Sequence, residues 1–192
     1  MLRKTIESVG IDAEGLVIDD KVHTTLAFVH TYPDGDRDFS FYRNPGADMM
    51  LRKEEVSLDK ICASKIFHFG TLSFTHAGIR TASQYAIQCA KEAGALISFD
   101  PNLREPLWEN LEDARKAIEY GMECCDILKI SDNELTFMTG EKDYDKGAVL
   151  LQQKYQIPLV CVTLGKDGSR AYYKGLTIKA EPFLQKNTIE TT

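Results

Sequence analysis

Two patterns of hydrophobic and polar positions divide the chain near residue 55. Before it, two β-rich runs, TTLAFVH (Thr24–His30) and DFSFYR (Asp38–Arg43), flank YPDGD (Tyr32–Asp36). Pro presets φ, Asp bonds the local backbone and Gly accepts positive φ, so this segment predicts a turn and the whole a hairpin. Phe39 and Phe41 fall on one face of the second run, Ser40 and Tyr42 on the other. After residue 55 apolar strands alternate with helical stripes. KIFHFG (Lys65–Gly70), ALISFD (Ala95–Asp100), DILKIS (Asp126–Ser131) and PLVCVT (Pro158–Thr163) read as strands. Ile79, Ala82, Ala86, Cys89, Ala90 and Ala93 form one helical stripe; Leu111–Met122 and Lys146–Tyr155 are further helices, and NELTFMTG is a short one stopped by Gly140. Strands apolar throughout and spaced by helices predict a parallel sheet covered on both faces, with ligands outside the carboxyl ends of its strands.

The length of 192 residues predicts one domain with a small appendage and a core large enough to need no disulfide or metal. Ordinary Gly and Pro content excludes collagen and wholesale disorder. Lys and Arg number 23 against 29 Asp and Glu, a net charge of −6 that makes a nucleic-acid backbone a poor partner. No apolar run reaches the ~20 residues of a membrane span, and MLRKTIESVGIDAEG lacks the apolar stretch of a signal peptide. A cytoplasmic location is expected. The five cysteines form no CxxC pair, and four sit in apolar runs, so buried, reduced thiols are expected.

Each strand ends in a polar or Gly-containing segment: HFGTLS, FDPNLR, KISDNE and VTLGKDG. In VTLGKDG, Thr163 offers a hydroxyl, and Gly165 and Gly168 let backbone N–H groups approach a phosphate; Lys-Asp-Gly equally suits a plain turn into SRAYYKG. It is not a Walker loop. In FDPNLR, Arg104 can fork onto a phosphate or sugar hydroxyl, while Asp100 and Asn102 can serve the turn's own N–H groups. KISDNE supplies Lys129, Ser131, Asp132 and Glu134. Its carboxylates can hold Mg²⁺ through water, and Ser131 with Glu134 makes a capping box; the two readings are compatible. NPGAD, after Arg43, reads as a turn. The four histidines show no metal-ligand spacing, and no G-x-S-x-G signature is present.

Taken in order, FYRNPGADMML, IFHFGTLSFTH, AKEAGALISFDPNLREPLW, DILKISDNELTFMTG and VTLGKDGS resemble the middle of a sugar kinase of the ribokinase/PfkB family, nearest to its fructokinase branch. The resemblance implies a ribokinase-like α/β fold: a Rossmann-like three-layer core with a parallel sheet (residues 56–192) and a small β lid (residues 1–55), incomplete at both ends. It implies transfer of the γ-phosphate of ATP to a sugar hydroxyl, with Mg²⁺. It assigns Arg43 and Asn102 to the substrate, Arg104 to the transferred phosphate, Lys129, Thr163, Gly165 and Gly168 to the nucleotide, and Glu134 to Mg²⁺ through water. Ser131 stands where ribokinases have the Asn of Asn-x-x-Glu.

The family's amino-terminal Gly-Gly sugar signature and its Gly-Ala-Gly-Asp signature, which supplies the anion hole and base Asp, lie outside the 192 residues; IETT resembles the residues just before the latter. The expectation is therefore a central fragment with little kinase activity of its own. Its expected partners are a small sugar and ATP, with neither nucleic acid nor membrane, and a homodimer formed through the lid. The reading of another class is a non-catalytic remnant acting as an oligomerisation or nucleotide-binding module.

Overall fold

The computed structural model describes residues 1–32 and 37–183, Arg37 by its backbone alone. The predicted turn at Pro33–Asp36 and the IETT segment lie outside the described residues. A short helix α1 (Leu2–Ser8) leads to an antiparallel hairpin, β1 (Leu26–Thr31) and β2 (Arg37–Tyr42). Register pairs Ala27 with Phe41 and Val29 with Phe39, so both phenylalanines share a face and stack at 6.1 Å. Tyr42 points the other way and is exposed.

A helix α2 (Leu58–Cys62), not anticipated from the sequence, precedes the core. There follow β3 (Ile66–Gly70), α3 (Ala77–Glu92), β4 (Leu96–Asp100), α4 (Leu111–Cys124), β5 (Ile127–Ser131), α5 (Asp132–Thr139), α6 (Tyr144–Tyr155) and β6 (Leu159–Thr163). Two more strands, β7 (Ser169–Tyr173) and the unpredicted β8 (Leu176–Ala180), complete a six-stranded sheet. Its order is β3-β4-β5-β6-β7-β8; the first four are parallel and the last two join antiparallel. Gly140 closes α5 in the left-handed conformation at φ 72°, as its position in the sequence requires.

Among the described residues the helices lie on one face of the sheet, where two covered faces were expected. Burial alternates along its strands: Ile97, Phe99, Leu128, Ile130, Val160 and Val162 are fully buried, while Ser98, Ile127, Lys129 and Cys161 between them are only half-buried. Consecutive parallel strands added in one direction by right-handed crossovers place their helices on the same side, and the core forms there. Ile118 and Met122 of α4, Leu135 of α5, and Ala148 and Leu151 of α6 fill it. β3 is an edge strand in which only Phe69 is buried, so the expected buried strand is half-exposed; His68 lies exposed beside Ser98 Oγ at 3.0 Å.

The cysteine expectation also needs correcting. All five thiols are free, as read, but only Cys125 is buried and Cys62 is exposed. Cys62 ends the short α2, which the apolar pattern around it did not reveal.

Candidate active site

Parallel register aligns the strand ends. Gly70 pairs with Asp100, and Ser131 with Thr163. The four polar exit segments thus share one rim, and the chain then ties them together. Lys129 Nζ lies 2.9 Å from Asp100 Oδ2, joining β5 to β4 across the sheet. Glu134 is buried at 8% exposure. Its Oε2 accepts from Ser131 N–H at 2.9 Å and Oγ–H at 2.8 Å, while Glu134 N–H donates to Ser131 Oγ, so the capping box forms as the sequence indicates. Glu134 Oε1 reaches out of the helix and accepts from Leu103 N–H at 2.7 Å. From the other side, Thr71 donates to Pro101 O through both N–H (3.2 Å) and Oγ1–H (2.6 Å). Between these points Asn102 is exposed, with φ 46°.

Arg104 leaves this loop toward the hairpin. One guanidinium N–H donates to Leu103 O at 3.2 Å, and the group stacks on the Phe39 ring at 5.0 Å. Arg43 is placed differently from Asn102 and Arg104. Its side chain, 6% exposed, pairs with Asp48 at 2.6 Å and donates to Thr75 Oγ1 at 2.7 Å and Leu72 O at 3.0 Å. Arg43 therefore anchors the hairpin to the segment after β3. Burial pushes the Asp48 carboxyl up, but hydrogen bonds from Arg43 and Thr25, with the guanidinium charge, outweigh it and hold the group below the usual carboxylate range. Beneath the hairpin is an open cavity of about 470 Å³ lined by Phe39, Phe41, Arg43, Asn44, Thr75 and Leu107 among others. A separate groove of about 550 Å³ beside α3 and α4, with Lys53, Tyr85 and Tyr120 in its lining, includes none of the rim residues.

The turn after β6 is closed by Leu164 N–H donating to Gly168 O at 2.9 Å. Gly168 has φ 87°, and a Cβ there would meet Ala180 O at 2.1 Å, so only glycine lets β8 pass so close. Thr163 is half-buried beside Ser131; Gly165 lies farther along the turn with φ 55° and open space around it. The structure thus unites Asp100, Lys129, Leu103 and Glu134 in one bonded rim, and brings Arg104 to the hairpin. Arg43 belongs to the cavity wall, and Gly165 and Gly168 to the flank. Thr71, Thr75 and Phe39 were not singled out as site residues; Thr71 and Thr75 lie in IFHFGTLSFTH, where a hydroxyl right after an apolar strand was the available signal.

Among the described residues no three His, Cys, Asp or Glu side chains converge on a common point. Glu134 keeps acceptor capacity only at Oε1 beyond the Leu103 bond. This does not make a protein cage; it fits an ion that arrives on a nucleotide and meets Glu134 through water.

The whole chain, residues 1–192, matches the pfkB family of carbohydrate kinases. Fructokinase-2 of Solanum lycopersicum is 42% identical over 192 residues, covering 100% of this chain and 58% of its own. A fructokinase of Xylella fastidiosa with bound ATP superposes with TM-score 0.83 at 30% identity, covering 95% of this chain and 56% of its own. A fructokinase of Vibrio cholerae O395, with fructose, ADP and calcium bound, gives TM-score 0.83 at 26% identity, covering 96% and 59%. The chain therefore spans less than two thirds of the length of these relatives. Its mostly parallel sheet, with a hairpin beside the strand ends, is the ribokinase-like α/β fold. The chain belongs to the pfkB family of carbohydrate kinases.

Proposed function

We propose that this chain is the central part of an ATP-dependent sugar kinase that phosphorylates fructose to fructose 6-phosphate. The observation that carries the reading is a pair of cations near a hairpin-roofed cavity, Lys129 held at the bonded rim by Asp100 and Arg104 resting on the hairpin from the loop after β4, in a chain 42% identical along its whole length to a fructokinase. Residues 1–55 act as the lid and residues 56–192 as the core. The sugar occupies the cavity under the hairpin, where Arg43 shapes the wall and Asn102 approaches from the rim.

In phosphoryl transfer the protein chiefly positions groups and stabilises charge. Arg104 has only one N–H engaged in a hydrogen bond within the described residues, so its fork is available to the transferred phosphoryl group. Lys129 presents a point charge to the nucleotide phosphates, with Asp100 holding the ammonium at the rim between encounters. Thr163, Gly165 and Gly168 flank the nucleotide. Mg²⁺, bound with ATP, supplies neutralisation of phosphate charge, and Glu134 is the side chain that meets it through water.

The base Asp and anion hole that the resemblance assigns lie outside the 192 residues. Loss of a positioned base costs about 10²–10⁴-fold, so the chain by itself turns over slowly. Exposed Leu26, Phe28 and Tyr42 on the outer lid face favour a homodimer through that face, which light scattering tests. The functional test is calorimetric titration of the 192-residue chain with ATP and with fructose, followed by ADP release with Mg-ATP. Saturable binding of both, with ADP near background, is expected. Absence of both bindings overturns the kinase reading; turnover at an ordinary kinase rate overturns the assignment of the base.

A further inference from the structure

Among the described residues, three other than glycine have positive φ: Asn102, Gln156 and Lys174. Gln156 caps the end of α6, and Lys174 lies with Gly175 in the turn between β7 and β8. Left-handed backbone is ordinary at both places. Asn102 sits at neither kind of place; it lies in the open loop after β4. Asn takes this conformation more readily than other residues with a Cβ, and the surroundings here add to that preference.

Those surroundings are specific. Among the described residues, the polar or charged residues buried as a whole are Thr71, fully, and Glu134, at 8% exposure. Both bond the backbone beside Asn102. Pro101 O belongs to the peptide plane that sets φ of Asn102, and Thr71 donates to it through Oγ1 at 2.6 Å and N at 3.2 Å. Leu103 N belongs to the plane that sets ψ, and it donates to Glu134 Oε1 at 2.7 Å. Each plane is thus gripped by one buried side chain, from opposite sides of the loop. Glu134 is itself fixed by Ser131 through its second oxygen, and Thr71 lies in the turn directly after β3. Neither anchor can swing with the loop. The next carbonyl, Leu103 O, receives the Arg104 guanidinium, so the direction of Arg104 follows from the same two grips.

We propose that Thr71 and Glu134 are positioning residues: a two-sided backbone clamp that holds Asn102 left-handed and thereby aims Asn102 and Arg104 at the ligand. The ligand part rests on the kinase reading; the clamp does not. It also gives Glu134 a role that needs no metal. Its buried carboxylate is the part between the start of α5 and the exit of β4, and a preorganised loop of this kind removes the ordering cost from each binding event.

The test uses Thr71→Val, which keeps the volume and the backbone N–H but removes the hydroxyl; Thr71→Ser, which restores it; and Glu134→Gln, which keeps one acceptor oxygen and puts donors opposite donors at the other end. Hydrogen exchange of residues 101–104 is read against Leu128 and Val160 in the core, together with emission of Trp108, the chain's one tryptophan, just beyond the loop. T71V and E134Q should speed exchange at Leu103 by about tenfold and shift Trp108 emission, with core exchange unchanged; T71S should return both to the wild-type values. ATP and fructose affinities should fall in step with the loop signal. Unchanged exchange at Leu103 in T71V and E134Q overturns the clamp. Faster exchange with unchanged affinities overturns its positioning role. A wild-type chain that binds neither ATP nor fructose sinks the kinase reading, and the exchange result then still decides the clamp.

Discussion

The guanidinium of Arg104 lies 5.0 Å from the centre of the Phe39 ring, so a rim residue of the sheet rests on a residue of the hairpin. The contact couples the pose of the candidate phosphate-binding group to that of the hairpin. A cation–π contact of this kind contributes about 0.5–2 kcal/mol. Phe39→Leu keeps an apolar side chain but removes the π face. It should weaken ATP or fructose binding about twofold to thirtyfold with little change in thermal midpoint. Titration of the two proteins side by side checks this, and equal affinities would falsify the coupling.

Arg43 is the hairpin's anchor rather than a free ligand group. Arg43→Met leaves Asp48, Thr75 Oγ1 and Leu72 O without the partner they share. The loss should be about 2–3 kcal/mol in denaturant unfolding, the scale of a charged hydrogen bond removed from a half-buried place. Limited proteolysis should cut the hairpin sooner in the variant, while the peptides of β4 and β5 stay resistant.

Acid should loosen the same anchor. The folded carboxyl of Asp48 is held below its unfolded value, so its contribution is present above the unfolded pKa and is lost as pH falls through the folded one. The window opens below about pH 4. Hairpin protection factors, which are exchange rates corrected for the intrinsic effect of pH, should fall there in the wild type and stay flat in Asp48→Asn, which carries no charge to lose.

The thiols should separate by reactivity. Burial, with the Asp126 charge adding to it, pushes Cys125 up to about 12, whereas Cys62 is exposed. A neutral aromatic disulfide reagent at pH 8 should label Cys62 first and Cys125 only on unfolding, read by mass spectrometry of peptides. Raised folded values carry the opposite sign from Asp48. The stability they contribute is complete below the unfolded pKa and is lost as pH climbs through the folded value. Tyr120 and Tyr172, each pushed to about 12 chiefly by burial, act alongside Cys125. Unfolding should therefore become easier between about pH 9 and 12.

Gly121 faces the fully buried ring of Phe99, and a Cβ there would fall 2.3 Å from a ring carbon. Helix propensity favours Ala over Gly by about 1 kcal/mol, but overpacking a closed core costs about 1–3 kcal/mol. The ring also touches Phe69 at 4.7 Å and has little room to give. Gly121→Ala should lower stability by up to about 2 kcal/mol net in urea unfolding; a gain would mean that the ring relaxes.

Much of this fold was legible because the local signals agreed. The strands from Ile66 to Thr163, the Gly140 stop and the Ser131–Glu134 box all follow from periodicity and capping chemistry that tertiary packing did not override. β8 was missed because Leu176, Thr177, Ile178 and Lys179 are all exposed, so neither face offers a core pattern; pairing with β7 makes the strand. The open face of the sheet was misread because apolar runs such as DILKIS do not say which side their helices take; strand order decides that. At the site, FDPNLR and KISDNE were legible as exits from strands. Which of their side chains would bind the protein's own backbone was not. Arg43 and Glu134 carry the charge of ligand-binding groups, and only the fold shows their atoms engaged by Thr75, Leu72, Leu103 and Ser131.

The six strands stand in the sheet in the order in which they occur along the chain. Every strand from β4 to β8 therefore pairs with the strand made just before it. During synthesis the sheet grows at one margin, a strand at a time, with each new helix closing over the strands already in place. Each parallel pairing must still close over the helical segment between its strands, a non-local contact of the kind that slows folding. The order also means that the Lys129–Asp100 pair and the Glu134–Leu103 bond are both drawn from residues 100–134, so this half of the rim comes from one contiguous stretch that precedes the turn at Gly165–Gly168.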